Sequence, residues 1–120
     1  MEVINIESTE ETPKILFDKT NEIFELSGRS LPEDASEFYH PIIKWVNDYS
    51  ASPNPETSFY FKLEYFNTAS SKLLLDLLAK IEAVKGAKVI WCYHDDDEDM
   101  EEAGGEFSEL VSVPFEFQTY

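Results

Sequence analysis

The sequence predicts a single-domain α/β protein: a mixed sheet of about six strands packed with about three helices, spanning residues 1–120. Three observations carry this expectation. Phe59 to Phe66 alternates, with Phe59, Phe61, Leu63 and Tyr65 on one side and Tyr60, Lys62, Glu64 and Phe66 on the other. That is the period of a strand. Immediately afterwards the period changes, because Leu74, Leu77, Leu78 and Ile81 recur at helical spacing and line one helix face. Lys88 to Tyr93 is then an unbroken apolar run, the mark of a strand buried on both faces. Strand, helix and strand make a βαβ unit with a right-handed crossover.

The remaining elements fall on either side of this unit. Val3-Ile4-Asn5-Ile6 reads as a short strand and Glu7 to Pro13 as a polar turn. Lys14 to Asp18 and Ile23 to Gly28 read as two strands joined through Lys19-Thr20-Asn21-Glu22, a connection compatible with a hairpin. Gly28 to Asp34 reads as a loop. Phe38, Ile42, Trp45, Val46 and Tyr49 share one helix face. Pro41 leaves two options there: a helix that starts near it, or an earlier one bent at it. Ser50 to Thr57, with Pro53 and Pro55, is a loop into the central strand. After the central helix, Lys85-Gly86-Ala87 makes a turn, with Gly86 as a terminator. A third helix opens in the acidic run after His94 and buries Met100, Ala103, Phe107 and Leu110. Gly104-Gly105 lies inside it, at about 1 kcal/mol per glycine relative to alanine. Val113 to Phe117 is a last strand, with Pro114 placing its start at an edge or end.

Composition narrows the partners. There are 25 acids against 9 bases, a formal net charge of −16. Nucleic acid and anionic membranes both need a basic surface, so neither is expected as the main partner. Cys92 is the only cysteine, so no internal disulfide forms and a reducing cytoplasm fits. The first residues, MEVINIESTEET, lack a basic segment followed by an apolar core and do not read as a signal peptide. No apolar run approaches the roughly 20 residues of a membrane span.

Candidate chemistry concentrates in Asn67-Thr68-Ala69-Ser70-Ser71-Lys72, a cluster of hydroxyls at a helix start just past a strand. One reading is capping by Asn67, Thr68 or Ser70, whose side chains accept from the unpaired N–H groups of the first turn. The other is phosphorylation, since a phosphate on Thr68 would meet free N–H groups and the helix dipole. Elsewhere, Arg29 suits bidentate capture of a carboxylate or phosphate, or an ordinary surface position. His40 has no second ligand at a telling spacing. Cys92 reads as a small buried hydrophobe. The Asp95–Asp99 run after His94 invites a metal-site reading but lacks the glycine and alternation of a calcium loop; the plainer reading is the acidic first turn of a third helix, which suits the dipole.

Several stretches together resemble one family: GRSLPED at Gly28 to Asp34, FYHPIIKWVNDY at Phe38 to Tyr49, LEYFNTASSK at Leu63 to Lys72, and WCYHDDDEDMEEAG ending at Gly104. They are similar to the SiaC family of regulatory phosphoproteins, whose fold is STAS-like, akin to the anti-sigma-factor antagonists. The resemblance covers nearly the whole chain, and YFNTASSK with its leucine-rich helix is its most specific part. It implies a bacterial signalling protein with no chemistry and no cofactor of its own. It implies phosphorylation on Thr68 by a cognate serine/threonine kinase and removal by a PP2C-like phosphatase. It further implies that the unphosphorylated form binds and activates an effector, a diguanylate cyclase, with cyclic di-GMP and biofilm formation as output. Asn67, Thr68, Ser70, Ser71 and Lys72 are then the partner-binding surface. In that family serine often follows the threonine; Ala69 here leaves Thr68 intact and removes one alternative acceptor. The DS-x-G-type phosphosite of ordinary anti-sigma antagonists is absent. Two rival classes are a STAS-like ligand-binding or anti-sigma-antagonist module, and a metal-dependent hydrolase using His94 and Asp95 to Asp99.

Overall fold

The computed structural model describes the whole chain, Met1–Tyr120. Its elements are β1 (Ile4–Ile6), β2 (Lys14–Asp18), β3 (Ile23–Ser30), α1 (Ala35–Tyr49), β4 (Thr57–Phe66), α2 (Thr68–Glu82), β5 (Ala87–Tyr93), α3 (Glu98–Leu110) and β6 (Phe115–Thr119). The six strands form one sheet in sequence order. β1, β2 and β3 run antiparallel; β3 through β6 run parallel. The expected mixed sheet with three helices is therefore the fold.

Strand order explains the layering. Each parallel connection steps one place in the same direction along the sheet, and right-handed crossovers that do so put their helices on one face. That face holds the core. Ile15, Phe17, Phe24, Leu26, Phe59, Phe61, Leu63, Val89 and Trp91 from the strands join Tyr39, Ile42, Leu74, Leu78, Met100 and Phe107 from the helices in one cluster of 24 buried residues. The rings of Trp45 and Tyr49 stack at 5.2 Å and pack on Phe17 and Phe24, which ties α1 to β2 and β3; those two rings pack in turn on Phe59 of β4.

The opposite face has no helix. Leu16, Glu25, Tyr60, Ile90 and Glu116 stand opposite one another across five strands there. β5 is nonetheless buried on both sides, as its apolar run predicts. Neighbouring side chains, not a helix, supply the second cover: Lys62 Nζ lies 4.3 Å from the Tyr120 ring centroid, and both border the cavity floored by Cys92. Burial pushes the Cys92 thiol up from its ordinary value, in keeping with a packing role.

Several expectations are corrected in detail. β3 runs on to Ser30, into the stretch read as a loop. Of the two options at Pro41 the earlier start is the one observed: α1 begins at Ala35, capped by the Asp34 carboxylate, and passes through Pro41. Its buried stripe takes Tyr39, with Phe38 only half buried, because both lie one turn before Ile42. α2 stops at Glu82, and Gly86 sits beyond its cap at φ +83 in the turn to β5. Leu110 is 66% exposed and does not belong to the core.

The alternation of β4 also breaks. Gly28 pairs with Leu63 but Arg29 pairs with Tyr65, so Glu64 is left unopposed in a β-bulge. The extra residue turns Tyr65 out and Phe66 in, reversing both expectations. Gly28 sits across from the bulge at φ +106, a conformation open to glycine and strained for other residues. Past this kink, Ser30 and Phe66 point into the helical side and begin the site described next.

Candidate phosphoacceptor site at the start of helix α2

β4 delivers the chain to the rim of the sheet, and Asn67 turns it into α2. Asn67 is extended (φ −88, ψ 176), and its Oδ1 accepts the Ser70 N–H at 2.9 Å. Its carbonyl accepts the Ser71 N–H at 3.0 Å. Capping is therefore the work of Asn67. Thr68, the first helical residue, is exposed, and its hydroxyl is left to solvent. The N–H groups of Thr68 and Ala69 also remain open, at the positive end of a 15-residue helix.

The other residues of the cluster divide. Lys72 is exposed one turn on, within reach of charge added at the helix start, and Ser71 is half buried. Ser70, expected on the partner-binding surface, is fully buried and lies beneath it. Its Oγ donates to the Ser30 carbonyl at 2.9 Å and accepts from Ser30 Oγ at 2.9 Å. Ser30 Oγ in turn lies 2.5 Å from the Tyr39 hydroxyl. Nothing in the sequence marked Ser30 or Tyr39: their meeting depends on the bulge and on the packing of α1 beside α2.

Two grooves flank this helix start. Between α2 and α3, Phe66, Leu75, Ala103, Phe107 and Leu110 line an apolar groove of about 500 Å³ whose rim carries Thr68, Ser71, Lys72 and Glu106. Phe66 packs on Phe107 at 5.8 Å between ring centroids. Between α1 and α2, a second groove of about 980 Å³ is bordered by Phe38, Pro41, Leu73 and Ala69, with Glu33, Asp34 and Glu37 on its acidic side. Lys72 borders both. The exposed Leu110 thus has a place: it extends the apolar wall of the groove that Thr68 rims.

The remaining candidates stand apart from this site. Arg29 makes no ion pair and lies over the exposed Tyr65 ring, with Cζ 5.2 Å from its centroid. His40 is exposed on α1. The acidic run is a helix start: Asp97 Oδ1 accepts the Met100 N–H at 3.0 Å, and Glu98, Asp99 and Glu101 fill the first turn of α3. His94 packs on the Tyr120 ring at 4.2 Å, and no three His, Cys, Asp or Glu side chains converge as metal ligands. No helix is long and apolar enough to cross a membrane.

Comparison with known proteins adds a family to this geometry. A family model described as SiaC family regulatory phosphoprotein matches residues 6–120. An uncharacterised protein of Pseudomonas aeruginosa is 31% identical over 124 residues, covering 100% of this chain and 98% of its own length. Among solved structures, SiaC of Pseudomonas aeruginosa in complex with the diguanylate cyclase SiaD, which it activates, superposes with a TM-score of 0.90 at 29% identity. That match covers 98% of this chain and 99% of the other. Apo-SiaC from the same organism superposes with a TM-score of 0.88 at 30% identity, again over 98% and 99% of the two chains.

Proposed function

This chain belongs to the SiaC family of regulatory phosphoproteins, and from that premise we propose that it is a non-enzymatic cytoplasmic switch whose state is set at Thr68. A cognate serine/threonine kinase adds the phosphate and a PP2C-like phosphatase removes it. The unmodified form docks on and activates a diguanylate cyclase, raising cyclic di-GMP. The cyclase partner is carried over from the relative found in complex with SiaD.

The observation that supports this reading best is the division of labour at the start of α2. Asn67 caps the helix, which leaves the Thr68 hydroxyl exposed on the rim of an apolar groove. An acceptor must reach a kinase active site, and the groove gives a partner apolar surface to bury beside it. The open N–H groups and Lys72 moderate the added charge in the free protein. Docking is where the phosphate acts, because the partner must desolvate it.

The test is phosphosite mapping by mass spectrometry on protein from its native cells, with the kinase gene present and then deleted. Kinase-dependent phosphate on Thr68 is expected; a chain unmodified at Thr68 under every growth condition sinks the switch. The groove has its own test. Leu110→Ser removes exposed apolar surface, so stability stays within about 0.5 kcal/mol of wild type. Binding to the purified cyclase is expected to weaken about tenfold, the effect of losing one interface anchor. Unchanged affinity would place the docking surface elsewhere.

A further inference from the structure

Three buried hydroxyls meet beneath Thr68, and proton counting fixes the direction of their bonds. Ser70 Oγ–H donates to the Ser30 carbonyl at 2.9 Å, and Ser30 Oγ–H donates to Ser70 Oγ at 2.9 Å. Each serine hydroxyl has one proton, so the 2.5 Å contact between Ser30 Oγ and Tyr39 is donated by the tyrosine. The relay runs Tyr39, Ser30, Ser70, Ser30 carbonyl. The same carbonyl also accepts the Asn67 N–H at 3.0 Å. All three residues are 0% exposed. Burial pushes the Tyr39 hydroxyl up to about 12, so at neutral pH the relay keeps all its protons.

The relay joins the end of β3, the first half of α1 and the first turn of α2. It holds Asn67 and Ser70, the residues on either side of Thr68 and Ala69, to one point of the sheet rim. It also commits the one proton of the buried Ser70 hydroxyl to the Ser30 carbonyl. We propose that Tyr39, Ser30 and Ser70 are positioning residues of the modification site: their relay fixes the first turn of α2 so that Thr68, and not Ser70, is presented to the modifying enzyme. This rests on Thr68 being the phosphoacceptor.

A matched control exists in the same helix. The Tyr49 hydroxyl is also buried, lies 2.7 Å from Thr57 Oγ1 and accepts the Asn54 N–H at 3.0 Å. It sits ten residues along α1, about 15 Å from Tyr39 by helix rise. Tyr39→Phe and Tyr49→Phe each remove one buried hydroxyl and are expected to lower Tm by comparable amounts. Only Tyr39→Phe is expected to lower kcat/KM for kinase-catalysed phosphorylation of Thr68, by about tenfold, as misplacement of a reacting group does. Tyr49→Phe is expected to stay within about twofold of wild type, a shift too small to count as misplacement. Amide hydrogen exchange at Asn67, Ser70 and Ser71, referenced to Trp91 in β5, is expected to quicken in Tyr39→Phe alone. Ser70→Ala is the second variant. It is expected to match Tyr39→Phe, and the double variant to add little, since both break one relay. Equal phosphorylation rates and equal local exchange in the two tyrosine variants would overturn the proposal. Should wild type take no phosphate at Thr68, the switch reading fails, and the exchange comparison alone decides whether the relay positions the turn.

Discussion

A Thr68→Asp chain is expected to bind the cyclase about 100-fold more weakly than wild type while folding at least as stably. The two effects come from one charge in two environments. In the free protein the carboxylate stands at the first position of α2, beside the open N–H groups of Thr68 and Ala69. An anion there stabilises a helix by about 0.3–1 kcal/mol. In the proposed complex the same charge, on the rim of the groove walled by Phe66, Leu75, Phe107 and Leu110, must lose its water. A charge buried without a full partner costs about 3–5 kcal/mol, and each 1.4 kcal/mol is tenfold in affinity. The docking penalty therefore exceeds the local gain, even with Lys72 one turn away. Thr68→Ala removes a solvent-exposed hydroxyl, so it is expected to bind like wild type and to be refractory to the kinase. Calorimetric titration against purified cyclase, paired with thermal melts, reads both signs. Wild-type affinity in Thr68→Asp would mean that the phosphate does not act by blocking this surface.

Much of this arrangement is legible in the chain. The change of period between Phe66 and Leu74 marks the strand-to-helix turn, and Asn67 in front of it is a recognisable cap. What is not legible depends on single residues or on contacts distant in sequence. A two-residue period cannot register the bulge at Glu64, because a bulge exists only relative to the partner strand, and it alone reverses Tyr65 and Phe66. Ser70 reads as one hydroxyl among several until Ser30 arrives from 40 residues away to meet it. Leu110 satisfies the helical spacing of a core residue, yet α3 ends there over a groove and not over the sheet. The absence of a helix from one sheet face follows from strand order, which local pattern does not encode.

The paired glycines of α3 give the sharpest stability contrast, because the sequence makes them equivalent and the packing does not. A Cβ on Gly105 meets nothing within 4 Å. Gly105→Ala therefore gains helix propensity alone, about 0.5–1 kcal/mol. For a domain of this size that is a rise of roughly 3 °C or more in Tm. A Cβ on Gly104 would overlap the Trp91 indole, at 2.5 Å from Nε1 and 2.8 Å from Cγ. Trp91 has no room to yield. It is 1% exposed, stacks on Phe61 at 5.8 Å, packs on Phe107 at 5.7 Å, and donates Nε1–H to the Met100 carbonyl at 2.9 Å. Helix α3 must therefore lift, lengthening that hydrogen bond and opening the contact with Phe107. Overpacking of this kind costs about 1–3 kcal/mol, more than the propensity gained. Gly104→Ala is expected to lower Tm by about 5–10 °C, opposite in sign to its neighbour. Since Ala103, Phe107 and Leu110 wall the groove beside Thr68, the lifted helix also deforms the proposed docking surface, and cyclase affinity is expected to fall with it. Melts of the two single variants decide the point. If Gly104→Ala is as stable as Gly105→Ala, α3 does not seat on Trp91 through Gly104, and the groove is less rigid than its packing implies.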